Sequence, residues 1–121
     1  MAEVLAIAHV QLAMPHNGEA YARRFWTGLM DFAELSKPAH LAVNGGCWFR
    51  CGPVEIHYGV EDGFLPARRA HPALLVVDLD GLVAKLATAG VPFRRGKPLE
   101  GYIRGDIADP FGNRIELMQR V

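Results

Sequence analysis

A carboxylate in the middle of a predicted strand is the residue of this sequence with the clearest capacity for chemistry. The Pro-Phe-Gly-Asn segment at 110–113 predicts a chain reversal, because proline fixes φ while glycine and asparagine tolerate positive φ. The residues after it alternate, so that Ile115 and Leu117 share one face of a strand and Glu116 lies on the other. A carboxylate placed there loses solvation unless a cation meets it. The remaining sequence must therefore supply a positive partner for Glu116.

Histidines at three strand positions are the candidate partners. His9 and His57 lie on strand faces opposite the larger apolar residues, and Glu55 shares the face of His57. His71 stands near the beginning of a further strand, directly before Pro72. Imidazole and carboxylate groups bind divalent metals and transfer protons near neutral pH. These residues therefore indicate either a metal site or acid–base chemistry.

The predicted elements that carry these residues follow the order β-α-β-β-β twice. A first helix is indicated by Tyr21, Phe25 and Leu29, which recur every four residues. A second helix follows a cap at Asp78 or Asp80. The eight strands of this order are predicted at residues 4–14, 40–43, 47–51, 54–60, 70–77, 91–95, 101–108 and 114–119, and the segment 34–36 is a candidate for a further short strand.

The two halves of the chain match in detail and indicate a tandem duplication. An Ala-His pair opens each half, at His9 and at His71, and the last strand of each half has a polar residue at its middle, His57 or Glu116. An internal repeat of about 60 residues that occurs only twice is unlike a solenoid. We therefore expect one domain over residues 1–121, with a first module at about 4–60, a connector at 61–69 and a second module at about 70–120.

Composition argues against several classes of protein. The 121 residues suit one compact domain, and the 13 acidic and 13 basic residues balance without a basic stripe, which argues against nucleic-acid binding. No apolar run approaches the ~20 residues that a membrane span needs. Residues 1–3 lack the basic start of a signal peptide, so a cytoplasmic protein is expected.

The two cysteines, Cys47 and Cys51, are predicted to be reduced. They lie four residues apart in one predicted strand, which separates their Cα atoms by ~13 Å, whereas a disulfide needs less than ~7 Å. A metal site made of cysteines alone would need two more thiolates. We therefore expect two core or pocket thiols.

Two motifs make the sequence similar to a known superfamily. The segment 71–79 reads His-x-Ala-Leu-x-Val-x-Asp-Leu, and the segment 109–116 reads Asp-Pro-Phe-Gly-Asn-x-Ile-Glu. Together with the tandem β-α-β-β-β order, they resemble the vicinal oxygen chelate superfamily. That superfamily includes glyoxalase I, bleomycin-resistance proteins, fosfomycin-resistance enzymes, methylmalonyl-CoA epimerase and extradiol dioxygenases. The resemblance implies an α+β fold in which tandem βαβββ modules form a curled mixed sheet with the helices outside.

The resemblance also implies a set of metal ligands. In metal-using members, mid-strand residues from the first and last strand of each module converge on a divalent ion inside a cupped sheet. The matching positions here are His9, His71, Glu116 and one residue of the segment 55–57. Imidazole and carboxylate donors without thiolate suit Zn, Ni, Co, Mn or Fe(II).

The fourth ligand position is open between Glu55 and His57. Resemblance to the Glu-Leu-Thr context of glyoxalase I selects Glu55. Aligning residues 56–58 with residues 115–117 selects His57 instead, because His57 and Glu116 then share apolar neighbours. We favour His57 as the ligand and expect Glu55, like Glu116, to be a candidate catalytic base.

Two functions remain compatible with these residues. The first is a metal-dependent enzyme that acts on a small molecule with vicinal oxygens, by isomerase or lyase chemistry, epimerisation, thiol transfer or dioxygenation. The alternative is a metal-free small-molecule binding protein of bleomycin-resistance type, in which Glu116 pairs with an arginine such as Arg104. The converging His and Glu positions favour the enzyme. The resemblance further implies a homodimer with two equivalent clefts.

Overall fold

The computed structural model describes residues 2–121 as two compact units, each built on its own four-stranded mixed sheet. The first unit ends at Phe64 and the second begins at Leu65. Each unit is built on the βαβββ pattern, with one additional short helix between the second and third strands of the first unit, so the predicted α+β class and tandem arrangement are confirmed. Neither sheet is closed. No helix within residues 2–121 is long and apolar enough to cross a membrane.

The first unit arranges its four strands in the order β1-β4-β3-β2. Strand β1 is parallel to β4, and the other neighbouring strands are antiparallel. The elements of this unit are β1 (Val10–Met14), α1 (Glu19–Arg23) with a π-helical continuation (Arg24–Leu29), β2 (Ala33–Leu35), α2 (Ala39–Ala42), β3 (Cys47–Cys51) and β4 (Val54–Val60).

Aromatic residues dominate the core of the first unit. Trp26, Phe49 and Tyr58 are all but inaccessible to solvent, and the indole Nε1 of Trp26 donates to the Tyr58 hydroxyl at 2.9 Å. The helix presents Phe25 to this core as predicted, but Tyr21 is 56% exposed. The buried face of the helix is therefore shifted by one residue from the predicted stripe, towards Trp26, because the helix widens into a π turn.

The second unit repeats the topology with an aliphatic core. Its elements are β5 (Ala73–Leu75), α3 (Leu79–Thr88), β6 (Arg94–Arg95), β7 (Tyr102–Ala108) and β8 (Arg114–Arg120), with the sheet order β5-β8-β7-β6. Asp78 caps α3, as predicted, by accepting a hydrogen bond from the Gly81 N–H at 3.1 Å. The buried apolar side chains of this unit are Leu79, Leu86, Ile107, Ile115 and Leu117.

Four predicted strands differ from the structure. The first begins at Val10, because the residues before it find no strand partner within the described chain. The strand predicted at 70–77 is reduced to β5, since Pro72 has no N–H to donate. The strand predicted at 91–95 is reduced to β6, Arg94–Arg95. The segment 40–43 was expected to be a strand and is instead helix α2, which begins directly after Pro38. A short apolar run does not distinguish the two by period.

Candidate functional site

Glu116 lies at the centre of β8 and is bound by two basic side chains of the second unit. Its side chain is only 8% exposed. Arg104 Nη1, on β7, donates to Glu116 Oε2 at 3.0 Å, and His71 Nε2, just before β5, lies 3.0 Å from Glu116 Oε1. Both carboxylate oxygens therefore have a partner, and the buried charge of Glu116 is compensated.

The turn before β8 fixes where Glu116 lies. The buried Asp109 carboxylate accepts hydrogen bonds from the N–H groups of Phe111 and Asn113 at 2.9 and 2.8 Å. Gly112 adopts φ +90°, where a side chain would be strained. The predicted reversal is thus confirmed. In the pairing that follows, the Glu116 N–H donates to the Pro72 carbonyl at 2.9 Å, which brings His71 beside the carboxylate.

The hydrogen bonds of His71 require a positive charge between His71 and Glu116. His71 Nδ1 lies 2.7 Å from the Arg69 carbonyl oxygen, which only accepts, so Nδ1 carries a proton. The other ring nitrogen, Nε2, faces an ionised carboxylate, which also only accepts. A proton on Nε2 or a cation in its place must therefore lie between Nε2 and Glu116 Oε1.

The pKa of Glu116 supports the ionised state. Burial of the carboxyl raises its pKa, but hydrogen bonds from Arg104 and His71 outweigh that effect and leave the pKa below the ordinary value. Glu116 is therefore a carboxylate at neutral pH, available to a cation through Oε1.

In the first unit, His57 is held by stacked rings. Its imidazole lies between His9 and Trp48, with ring centroids 4.0 Å and 4.2 Å away and interplanar angles of 11° and 9°. His57 is buried, whereas His9 is exposed just before β1. His57 Nε2 lies 3.0 Å from Glu55 Oε1 in the same strand. The structure therefore groups His57 with Glu55 on β4, as their alternation predicted, and places His9 beside His57 from a position just before β1 rather than within a strand.

The strand registers support the alignment of His57 with Glu116 in the two repeats. Gln11, two residues after His9, is opposite His57 in the parallel β1–β4 pair. Ala73, two residues after His71, is opposite Glu116 in the parallel β5–β8 pair. In each unit the residue at this register is the buried polar group between two buried apolar neighbours.

The donor atoms of the second unit are oriented by outer hydrogen-bond partners. His71 Nε2 and Glu116 Oε1 lie 3.0 Å apart, and so do His57 Nε2 and Glu55 Oε1, so this distance does not distinguish the two pairs. The Arg69 carbonyl behind His71 and the Arg104 guanidinium behind Glu116 are typical outer partners of metal ligands.

The imidazoles of His9 and His57, by contrast, lie in nearly parallel planes. A metal bound to an imidazole lies in the ring plane, and two planes so nearly parallel do not meet within bonding distance of both rings. Within residues 2–121, no group of three or more His, Cys, Asp or Glu side chains is placed to hold an ion by itself. His71 and Glu116, which have these outer partners, are therefore the candidate donor pair.

Other residues of these clusters were missed by the sequence analysis. Trp48 is the stacking partner of His57 and lies directly across from it in the β3–β4 pair. The alternation of β3 and β4 could have indicated this only once their register was known. Cys47 and Cys51 are free thiols, and burial raises the pKa of Cys47 to about 11, which keeps it uncharged.

Comparisons with known proteins identify relatives of the whole chain. The family model "Glyoxalase/Bleomycin resistance protein/Dioxygenase superfamily" matches residues 6–117. A solved glyoxalase family protein from Bacillus anthracis is 41% identical, with a TM-score of 0.95 over 100% of this chain and 99% of that chain. No curated protein matches the chain.

The likeness to more distant solved structures shows the fold alone. The fosfomycin resistance protein FosX from Listeria monocytogenes has a TM-score of 0.77 at 13% identity, with 98% of this chain and 95% of that chain covered. Lactoylglutathione lyase from Agrobacterium tumefaciens has a TM-score of 0.73 at 16% identity, with 98% and 96% covered.

Proposed function

Since the chain belongs to the glyoxalase/bleomycin resistance protein/dioxygenase superfamily, we propose that it is a metal-dependent enzyme acting on a small molecule with two neighbouring oxygen atoms. The observation that carries the proposal is the arrangement of His71 between the Arg69 carbonyl and Glu116, which requires a cation or a proton between Nε2 and Oε1. Members of the superfamily commonly use divalent metals.

The residues of this chain have distinct roles in the proposal. When bound, a divalent ion such as Zn, Ni, Co, Mn or Fe(II) supplies charge that stabilises a developing enolate or alkoxide. Arg69 and Arg104 hold His71 and Glu116 in orientation, and Arg104 keeps Glu116 ionised.

Proton transfer in the proposed reaction is assigned to a carboxylate. Glu55 has its Oε1 beside His57 Nε2 and is only partly buried, so it remains the candidate base of the first unit. Glu116 is the alternative base in the second unit. Such a proton transfer is part of isomerisation, lyase chemistry, epimerisation and thiol transfer. Dioxygenation is a further possible reaction if the metal is iron.

A test of this function measures metal uptake by variants of the pair. Protein stripped with a chelator and reloaded with each candidate metal should bind it, and Glu116→Gln or His71→Gln should weaken that binding by at least about tenfold. Glu61→Gln makes the same chemical change as Glu116→Gln at an exposed position and should leave metal content unchanged. Full metal content in Glu116→Gln would contradict the proposal.

A metal-free binding protein of bleomycin-resistance type is the second candidate. It is favoured by the Arg104 Nη1–Glu116 Oε2 bond, which gives Glu116 a counter-charge without any ion. In that case Glu116→Gln should lower the melting temperature, because Arg104 loses its partner, while metal content stays at the level of the unaltered protein. Melting temperature and metal analysis on this one variant therefore separate the two functions.

A homodimer is part of the same proposal. Members of the superfamily often form dimers. The apolar side chains of Val4, Leu5 and Ile7, before β1, and of Val77, after β5, are at least 79% exposed. Burying such surface against a second copy would be favourable. Sedimentation should show a dimer at micromolar concentration, and a monomer there would contradict this assembly.

A further inference from the structure

A cavity of about 440 Å³ lies at the loop between β6 and β7 of the second unit. This volume is in the range of small-molecule sites. Three cationic side chains line it, those of Arg95, Lys97 and Arg104, against the single carboxylate of Glu100. The hydroxyl-bearing Tyr102 completes its polar lining. The sequence shows no basic stripe, because these three cations are brought together only by the folding of the loop between β6 and β7.

Arg104 has donors to spare in this cavity. Its Nε donates to the Lys97 carbonyl at 3.1 Å, and its Nη1 donates to Glu116. A guanidinium carries five N–H donors in a planar fork, so about three are left. No further partner of these donors is found within the described chain. A planar fork with spare donors matches the oxygens of a carboxylate or a phosphoryl group.

The loop that forms the cavity is ordered by backbone hydrogen bonds. The Gly96 N–H donates to the Arg104 carbonyl at 3.0 Å, and the Tyr102 N–H donates to the Leu99 carbonyl at 3.1 Å. The Val121 N–H also donates to the Gly101 carbonyl at 3.0 Å. The cationic side chains therefore extend from a loop whose shape exists before any ligand binds, which reduces the entropy lost on binding.

From this geometry we propose that the cavity binds an oxyanion of a small molecule, a carboxylate or a phosphoryl group, between Lys97, Arg95 and the spare donors of Arg104. Because Arg104 also binds Glu116, an anion bound to Arg104 lies next to the His71–Glu116 pair. The inference rests on the proposed function in one respect, that the anion belongs to the substrate. The substrate is then an anionic molecule with neighbouring oxygens. Anion binding itself requires neither metal nor turnover.

The test titrates chelator-treated protein with inorganic phosphate, and separately with acetate, at constant ionic strength. Binding is followed by calorimetry and by backbone amide shifts of residues 95–104. Lys97→Gln and Arg95→Gln should each weaken phosphate binding roughly tenfold, since each removes a charge-assisted hydrogen bond. Stronger binding of phosphate than of acetate would assign a phosphoryl group, and the reverse would assign a carboxylate.

Arg94→Gln is the matched control. Arg94 precedes Arg95 in the same short strand, is exposed and does not line the cavity, yet its substitution changes the net charge equally. It should alter the affinity less than about twofold. Equal losses in Arg94→Gln and Arg95→Gln would show general electrostatic attraction and overturn the site, as would amide shifts that do not saturate.

Glu116→Gln separates this inference from the proposed function. Removing the carboxylate beside Arg104 should strengthen phosphate binding, because the guanidinium is no longer shared with a negative charge. The same variant should lose metal affinity if the proposed function is right. Stronger phosphate binding with unchanged metal content would thus retain the anion site and reject the metal enzyme. Weaker phosphate binding in this variant would overturn the anion site.

Discussion

His57 in β4 and Glu116 in β8 occupy the same place in two copies of one fold, yet different forces hold them. His57 lies between two flat rings and contacts a carboxylate of its own strand. Glu116 is bound by basic side chains from two other segments, His71 before β5 and Arg104 on β7. The duplication has therefore kept a buried polar position in each unit, while its chemistry has become aromatic in one unit and ionic in the other.

The difference implies unequal tolerance to substitution. Stacking depends on shape and area, so another flat ring can replace the imidazole at modest cost. An ion pair with a buried member depends on both charges, because removal of one leaves the other desolvated and uncompensated. The predictions that follow test this contrast by its effect on stability.

The largest effect is expected from the loss of Arg104. Arg104→Met keeps much of the side-chain length but leaves buried Glu116 with only His71, and it should lower the free energy of unfolding by about 3 kcal/mol. His57→Phe keeps a flat ring between Trp48 and His9 and should cost less than about 1 kcal/mol. Urea unfolding of both variants measures the contrast, which similar costs would refute.

A smaller effect is expected from the buried hydrogen bond in the aromatic core. Tyr58→Phe removes the oxygen that accepts from Trp26 Nε1 and leaves that N–H buried without this acceptor, at a cost of about 2 kcal/mol. In the aliphatic core, Ile107→Val removes one methylene and should cost about 1 kcal/mol. Melting curves of both variants provide the measurement. A larger loss for Ile107→Val would show that packing matters more than this hydrogen bond.

The smallest effect is expected from titration of Glu116. Its folded-state pKa lies below the ordinary value of 4.5, so Glu116 adds stability above that pH and loses it as pH falls through the folded-state pKa. The gain is limited, because burial opposes the hydrogen bonds from Arg104 and His71.

The measurement compares the pH dependence of two proteins. Between about pH 6 and pH 3, the unaltered protein should lose more stability than Glu116→Gln, which has no carboxyl to titrate. Parallel curves for the two proteins would mean that the ionic contacts of Glu116 add no net stability.

The repeat was predictable because each unit shows it in patterns of residues that are close together in the sequence. The alternation around residues 115–117, the cap at Asp78 and the turn at 109–113 all depend on near neighbours in sequence. Helix α2 was not predictable in the same way, since four residues after Pro38 give no clear period. Several predicted strand lengths were also wrong, because the length of a strand depends on where its partner strand begins.

The sequence predicted which positions carry the candidate site residues better than it predicted which side chains contact them. The alignment of the halves identified His57 and Glu116 without coordinates, and Arg104 was weighed as a partner. The stacking of Trp48 on His57 depends on cross-strand register, and the meeting of Arg95, Lys97 and Arg104 depends on one loop. Both require a tertiary arrangement that no short segment specifies. Membership of a superfamily whose members catalyse several reactions does not predict these contacts either.

The sandwich of Trp48 and His57 makes the first unit optically distinctive. The chain has two tryptophans, Trp26 in the core and Trp48 against an imidazole, and Lys37 Nζ lies 5.9 Å from the centre of the Trp48 ring. Imidazole and ammonium groups in contact with an excited indole dim its emission. Trp48 should therefore emit weakly, and any event that turns the His57 ring away should brighten it. The protein thus carries its own fluorescent indicator beside Glu55 and His57, readable without a label.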